Sequence, residues 1–448
     1  MSHLLVLAAL ASVCAAAEPP TAIVNARLID GTGAPVRLHC TVLVRGERIA
    51  AVGPGVAVPA DARVVDGKGM TLLPGMFDTH GHCFTVDGKD QYEAYPLLFL
   101  AGGVTTTFSP GEMDPGAAYA LRARLARNEQ QGARLLTAGP YFEKGQGELT
   151  WLVGYTDEAQ ALAWLAEHGP RMDGLKLQMQ ITEAEAKAIL DDAHRRGIRV
   201  TGHLGSVTAT RAIELGIDRL EHGLFAMSEF APWQIQGLEQ WADKFRRIGE
   251  IDLDGPVASK LIDLIVEKQV ALSATTVSFT EWAPGFEPVT PDWEKYLAPE
   301  IRRLQKARML RIAALPADQG KCFAAGVKKQ LEFCKRVHDR GGIVVTGTDP
   351  GGKLLIPGYG LHRELRLLVD AGFTPLAALR AATQHAARTL GVEKDLGTIE
   401  AGKLADLVLV EGDPSTDIAA IGNTRTVWKA GVAFDPIKLR SAAEGKIR

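Results

Sequence analysis

The sequence predicts an α/β protein, a (β/α)8 TIM barrel with a small composite β-sandwich assembled from both chain ends. Three observations carry this reading. Eight short apolar strand candidates are separated by helix-length segments, a helix–Gly–strand phrase occurs twice far apart, and all-β stretches flank this α/β middle at the two ends. A parallel barrel needs such alternation, because each crossover places one helix outside and one strand inside.

At the N-terminus, residues 4–17 form an apolar run ending in Ala15-Ala16-Ala17, the small-x-small pattern of a signal-peptidase site. Residues 1–17 therefore read as a signal peptide and the mature chain as exported, periplasmic or secreted. Residues 18–69 alternate short apolar runs with turn residues. Ala22-Ile23-Val24 precedes Asp30-Gly31-Thr32-Gly33, Thr41-Val42-Leu43-Val44 precedes Gly46-Glu47, and Ile49-Ala50-Ala51-Val52 precedes Gly53-Pro54-Gly55. Strands at this spacing form a small sheet. Residues 391–448 repeat the style, with Gly397-Thr398-Ile399, then Ala405 to Val410, then Thr426-Val427-Trp428. The two ends are read as parts one and two of one β-sandwich.

Between them, residues 70–390 read as the barrel, with strands at 70–78, 104–108, 134–138, 174–178, 198–203, 217–222, 270–276 and 343–349. One unit is clearest. Thr182 and Glu185 make a capping box, Ala186, Ile189, Leu190 and Ala193 follow at helical spacing, and Gly197 ends the helix. The strand 198–203 then ends in His203. His338-Asp339-Arg340-Gly341 leading into 343–349 echoes it. No GxGxxG follows the first strand, which removes the main support for a dinucleotide-binding fold.

The chain of 448 residues is 46% hydrophobic and 23% charged, a composition that buries a large core. A formal net charge of −3 gives no basic field for nucleic acid or an anionic membrane, and no later stretch nears the roughly 18 apolar residues of a membrane span. A small-molecule substrate is expected, with a homo-oligomer left open. Beyond the leader, Cys40, Cys83, Cys322 and Cys334 form no CxxC and read as buried free thiols.

Barrel enzymes keep their chemistry at the C-terminal ends of the strands. Here those positions hold His80 and His82 after the first strand, Lys176 in the fourth, His203 after the fifth, His222 after the sixth and Asp349 after the eighth. Residues i and i+2 of a strand face one side, so His80 and His82 are expected to grip one cation together. Taken singly, each has a plainer role: a core histidine, an ion-paired lysine, a helix N-cap at Asp349 before Pro350. A protonated lysine repels a cation, but desolvation among apolar strands would lower the pKa of Lys176 and free its amine.

Gly75-Met76-Phe77-Asp78-Thr79-His80-Gly81-His82 resembles the PGxxDxHxH signature of the amidohydrolase superfamily. Gly103-Val104-Thr105-Thr106, Arg219-Leu220-Glu221-His222-Gly223, Thr346-Gly347-Thr348-Asp349 and the tail from Gly397 to Val408 extend the match over the mature chain. The chain looks like the imidazolonepropionase-related branch that includes metal-dependent prolidases and aryl-amide hydrolases. That resemblance implies one or two divalent cations, with zinc expected ahead of manganese or iron. It places His80, His82 and Asp349 on a first metal, His203 and His222 on a second, and Lys176 between them as its N6-carboxylated form. The stretch Lys176 to Thr182 lacks the Gly-rich loop that many prolidase-like members carry here, which leaves the substrate open.

The function expected is hydrolysis of a C–N bond in a dipeptide, N-acyl amino acid or aryl amide by activated water, with Asp349 as the catalytic proton carrier. The alternatives are a mononuclear deaminase or lactam hydrolase on the same fold, and a non-catalytic metal-binding relic. Such deaminases want a glutamate three residues after the fifth-strand histidine, where this chain has Ser206. His362, Tyr141 and Tyr155 are further candidates for substrate contact, each with a structural alternative. His168, His194 and His338 read as surface residues and His385 as structural, on a late helix opened by Thr374-Pro375. The aromatic cluster from Phe225 to Trp241, with Trp282 and Phe286, reads either as a lid or as inter-helix packing.

Overall fold

The computed structural model describes residues 18–84, 90–145, 148–149, 152–232, 234–235, 237–285, 292–351 and 355–448. The leader at residues 1–17 and Phe286 lie outside the described residues.

Both chain ends enter one eight-stranded sheet, in the order Val432–Phe434, Thr424–Lys429, Leu407–Glu411, Met70–Pro74, Thr21–Leu28, Arg37–Arg45, Arg48–Gly53, with Arg63–Asp66 also on Thr21–Leu28. The composite origin is direct: Leu407–Glu411 runs antiparallel to Met70–Pro74, with Leu409 opposite Leu72. The ladders connect all these strands in a single sheet that folds back on itself. The cause lies in Thr21–Leu28, where Asn25 takes a left-handed φ of 59° and the pairing shifts register. Its first half pairs with Arg63–Asp66 and its last two residues with Thr71 and Leu72. A strand that changes partners at a bulge makes a corner. The sheet turns there, so Ile49 near one edge and Trp428 near the other share one core with Ile23, Val42, Leu72 and Leu407.

The stretch 70–78, read as one barrel strand, is two. Met70–Pro74 belongs to the composite sheet and Met76–Asp78 to the barrel region. Gly75 stands at the crossing, where a Cβ would lie 2.1 Å from the Thr105 hydroxyl. The other seven strand candidates appear as Val104–Ser109, one residue longer than expected, and, shortened, as Arg134–Thr137, Leu175–Leu177, Val200–Gly202, Arg219–Glu221, Ala271–Ser273 and Val344–Val345. All their ladders are parallel. Tyr141–Lys144, Leu152–Tyr155 and Glu148–Leu149, which the sequence left as loop, extend the sheet beside Leu175–Leu177.

The ladders do not form a continuous ring. At the two seams isolated backbone bonds cross instead, from Asp173 N–H to the Thr137 carbonyl at one, 2.9 Å, and from Thr79 N–H to the Thr346 carbonyl, 2.9 Å, and Asp349 N–H to the His80 carbonyl, 2.7 Å, at the other. Helices separate the strands as expected. The Thr182/Glu185 capping box opens Glu183–Arg195, and Gly197 follows it with a φ of 75°. The late helix is two short ones, Pro375–Ala381 and Gln384–Thr389, with His385 on the second. Among the described residues no helix is long and apolar enough to cross a membrane, and all four cysteines there are free, Cys322 only partly buried.

Candidate metal centre

His80, His82, Lys176, His203, His222 and Asp349, drawn from five separate strand segments, line one cavity of about 610 Å³. The imidazoles stand in a row: ring centroids are 4.9 Å apart from His82 to His80, 4.7 Å from His80 to His222 and 4.6 Å from His222 to His203.

The strand ends set this row. His80 and His82 lie in a turn beyond Met76–Asp78 rather than on the strand, because the chain is pulled two ways after Asp78. Thr79 N–H bonds the Thr346 carbonyl on one side, Gly81 N–H bonds the Phe108 carbonyl on the other, and the Asp78 carboxylate accepts from His80 N–H. Their rings meet edge to face, at 82°, and both line the cavity. Asp78 also accepts from the backbone N–H and the hydroxyl of Thr348, tying the first strand end to the eighth. Asp349 N–H reaches the His80 carbonyl at 2.7 Å. Gly347 is required for this approach, since a Cβ there would sit 2.7 Å from the His80 Cβ. Three residues at the rim are held left-handed, His222 at φ 62°, Thr275 at φ 45° and Asp349 at φ 47°. Such backbone costs about 1–3 kcal/mol per residue and persists where surrounding contacts over-determine it.

Each outward-facing nitrogen that can be traced is anchored. His80 Nδ1 donates to Glu221 Oε2 at 2.7 Å, and His82 Nδ1 to the Gly111 carbonyl at 3.0 Å. Carboxylate and carbonyl only accept, so both rings carry the proton on Nδ1 and turn the Nε2 lone pair to the cavity. His222 Nδ1 is paired with the Thr275 hydroxyl at 2.9 Å. Glu221 in turn accepts from the Thr201 hydroxyl and from Arg219 Nε, whose guanidinium lies over Phe108. Burial pushes His82 and His203 down to about 3 and lowers His80 and His222 as well, so these rings stay neutral at physiological pH. Burial also lowers Lys176 to about 8, against the opposing pull of Glu221 and Asp349.

The donor set fits a cation. Asp349 Oδ1 stands 3.9 Å from His80 Nε2 and 3.8 Å from His82 Nε2, too far for hydrogen bonds and close enough for ligands sharing an ion. Ligand atoms of His80, His222 and Asp349 all lie within 4.8 Å of one another. His222 is thus as near to His80 as to His203, which blurs the division into two separate ligand groups.

The remaining candidates divide. Tyr141 lines the cavity, its ring 6.4 Å from His82. Tyr155 and His362 are not among the cavity-lining residues. Tyr155 is buried with its ring 6.5 Å from Phe142, and His362 spends Nε2 on the Gly102 carbonyl at 2.7 Å, fastening helix Tyr359–Asp370 to the core. His194 pairs with Asp218, His338 stacks on Phe373 and His385 contacts the Val344 carbonyl, all away from the cavity.

Sequence reading missed the anchors Glu221, Thr201, Arg219 and Thr275, and most of the wall. The aromatic cluster does reach the cavity, through Phe225, Trp241 and Trp282, joined by Phe245, Phe279 and Phe323. Glu364 accepts from the backbone N–H groups of Thr276 and Val277 and so fixes the turn Thr276–Trp282 that carries this wall. Lys244 and the ion pair Arg308–Glu281 complete it. One signal was available: Lys244 interrupts the apolar face of helix Gly237–Gly249 that Phe245 and Ile248 otherwise form.

A row of neutral histidines with an aspartate, set at the ends of parallel strands, defines a metal-dependent hydrolase. Comparison with known proteins agrees. The amidohydrolase family model matches residues 71–433, and the chain belongs to that family. It is a hydrolase acting on carbon–nitrogen bonds. It is 26% identical over 392 residues to an imidazolonepropionase of Rubrobacter xylanophilus, covering 83% of this chain and 84% of that protein. Among solved structures, a Xaa-Pro dipeptidase with methionine in its active site is similar with a TM-score of 0.68 at 21% identity, covering 93% of this chain and 100% of that one. A bottromycin amidohydrolase reaches a TM-score of 0.75 at 20% identity, covering 94% and 88%. These likenesses give the fold, a TIM barrel with a β-rich domain.

Proposed function

We propose that the protein hydrolyses the amide bond of a small molecule, a dipeptide, N-acyl amino acid or aryl amide, at a centre of one or two divalent cations, zinc by expectation. His80, His82, His203, His222 and Asp349 would hold the cations. The observation that carries this is the imidazole row with Asp349 Oδ1 set 3.8–3.9 Å from two free Nε2 atoms.

A bound divalent cation supplies Lewis acidity, bringing a water towards pKa 7 and polarising the scissile carbonyl. The chain does the rest. Asp349 takes the water proton as the oxygen attacks the carbonyl carbon, and delivers it to the nitrogen as the C–N bond breaks. Glu221 and the Gly111 carbonyl keep His80 and His82 in one tautomer, so no reorganisation is needed during the reaction. Tyr141, which lines the cavity, would orient the substrate carbonyl. Lys176, buried and shifted towards neutrality, is suited to add carbon dioxide, and its carbamate would join the residues that hold the cations as an anionic ligand.

The test is metal analysis of the purified protein joined to a screen of dipeptides, N-acyl amino acids, aryl amides and lactams. Stoichiometric metal with turnover of an amide supports the proposal, and no turnover by metal-replete protein on any class refutes it. A carbamate signal in 13C NMR after labelling with 13C-bicarbonate, absent in Lys176→Met, would support the ligand role, and one metal per chain without that signal would exclude it.

A further inference from the structure

The cavity wall holds a lysine that folding does not explain. Lys244 is 5% exposed, on helix Gly237–Gly249, whose buried face otherwise consists of Ala242, Phe245 and Ile248. It makes no hydrogen bond and no ion pair among the described residues. Its one polar contact there is with the Trp241 ring, 5.8 Å from the ammonium to the centroid. The other cations of the cavity are balanced: Arg308 pairs with Glu281 at 2.5 Å, and Lys176 feels Glu221 and Asp349. A buried ammonium without a counter-ion opposes folding, and a methionine would fill the same space without that cost.

The position makes sense if the counter-ion arrives with the substrate. Lys244 lines the same cavity as the metal centre, and its charge is felt at His203, where it helps to lower the ring's pKa. Burial lowers Lys244 itself to about 8, which leaves it protonated at neutral pH. Around it stand Trp241, Phe245, Phe279, Trp282 and Phe323, an apolar surface for a side chain or acyl group. With Arg308 already engaged by Glu281, Lys244 is the one cavity cation without a counter-ion among the described residues, and a single such charge suits a monoanion. A phosphate would bring a second negative charge and would favour an arginine fork.

We propose that Lys244 binds a free carboxylate of the substrate, so that the bond broken belongs to an N-acyl amino acid or a peptide with a free C-terminus and a bulky apolar group, rather than to a neutral amide. This deepens the hydrolase reading above and rests on it for the reaction, though not for the binding.

Matched pairs test it: N-acetylphenylalanine against N-acetylphenylalaninamide, and glycylphenylalanine against its amide. Wild-type metal-replete enzyme is expected to prefer each acid in kcat/KM by roughly 10–100-fold, the worth of one charge-assisted hydrogen bond. In Lys244→Met that preference should collapse, mainly through KM. The same variant should lose calorimetric binding of N-acetylphenylalanine while keeping its thermal transition. Equal handling of acid and amide by wild type, or an unchanged acid preference in a folded Lys244→Met, overturns the assignment. If wild type turns over neither partner yet binds N-acetylphenylalanine through Lys244, the anion site stands and the hydrolase reading fails. If Lys244→Met does not fold, Lys244→Arg supplies the test: the preference must survive there and must be lost in Lys244→Gln.

Discussion

On the cavity floor, three of the four histidines spend their outward nitrogen on a fixed partner, at Glu221, Gly111 and Thr275, and their carriers are residues just past strand ends. On the wall, Lys244 has no counter-ion among the described residues, and the carriers are helix Gly237–Gly249, helix Ala317–Asp339 and the turn Thr276–Trp282. The floor is over-determined, with left-handed backbone at His222, Thr275 and Asp349 held by neighbouring strands. The wall is a packed aromatic surface with one unbalanced charge. A hydrolytic centre gains from rigid preorganisation, whereas a substrate pocket gains from groups left unsatisfied until the ligand arrives.

That contrast can be broken in several places. Removing metal with a chelator should abolish turnover, and adding back zinc or manganese should restore it. Calorimetric binding of N-acetylphenylalanine to the stripped protein should persist, and if it is lost with the metal, floor and wall are not independent. Asp349→Asn should lower kcat by about 10²–10⁴ with metal content partly retained. Near-wild-type turnover in that variant would remove the aspartate from its role. Glu221→Gln, which exchanges an anionic acceptor for an amide beside His80, should weaken metal affinity by roughly 10–100-fold in a metal titration.

Changes on the wall should be smaller and of another kind. Trp241→Ala should raise KM about tenfold for substrates with an aromatic group while kcat moves little, the pattern of lost uniform binding. The least effect concerns stability. Lys244 falls from its ordinary 10.5 to about 8 in the fold. Between those values the unfolded chain binds more protons, so wild-type stability rises with pH there. Lys244→Met should therefore melt at or above the wild-type temperature below pH 8, and the gap should narrow as pH climbs towards 10.5. A constant gap across that window would mean that the ammonium is not desolvated.

The six ligand candidates were legible because a barrel presents its strand ends to one rim, so histidines at the ends of predicted strands converge whatever the loops do. The Phe225–Trp241 and Trp282 aromatics were visible as a cluster, but whether they packed between helices or faced a cavity depended on where the turn Thr276–Trp282 was anchored. That anchor is Glu364, 88 residues from Thr276. Whether Tyr155 and His362 line the cavity was illegible for the same reason, since nearness in sequence to a strand end says nothing of where a side chain points.

By itself the sequence determined the alternation of strand and helix, the joining of both ends in one β-rich unit, and the residue types at the strand termini. These follow from local periodicity, caps and turn residues, each fixed within a few positions of chain. Only the tertiary structure decided that Met70–Pro74 leaves the barrel for the composite sheet, that His80 and His82 meet edge to face, that Glu221 orients His80, and that Lys244 is buried with no counter-ion among the described residues. Each of these depends on a partner far away in the chain, and such pairings exist only once the core has closed.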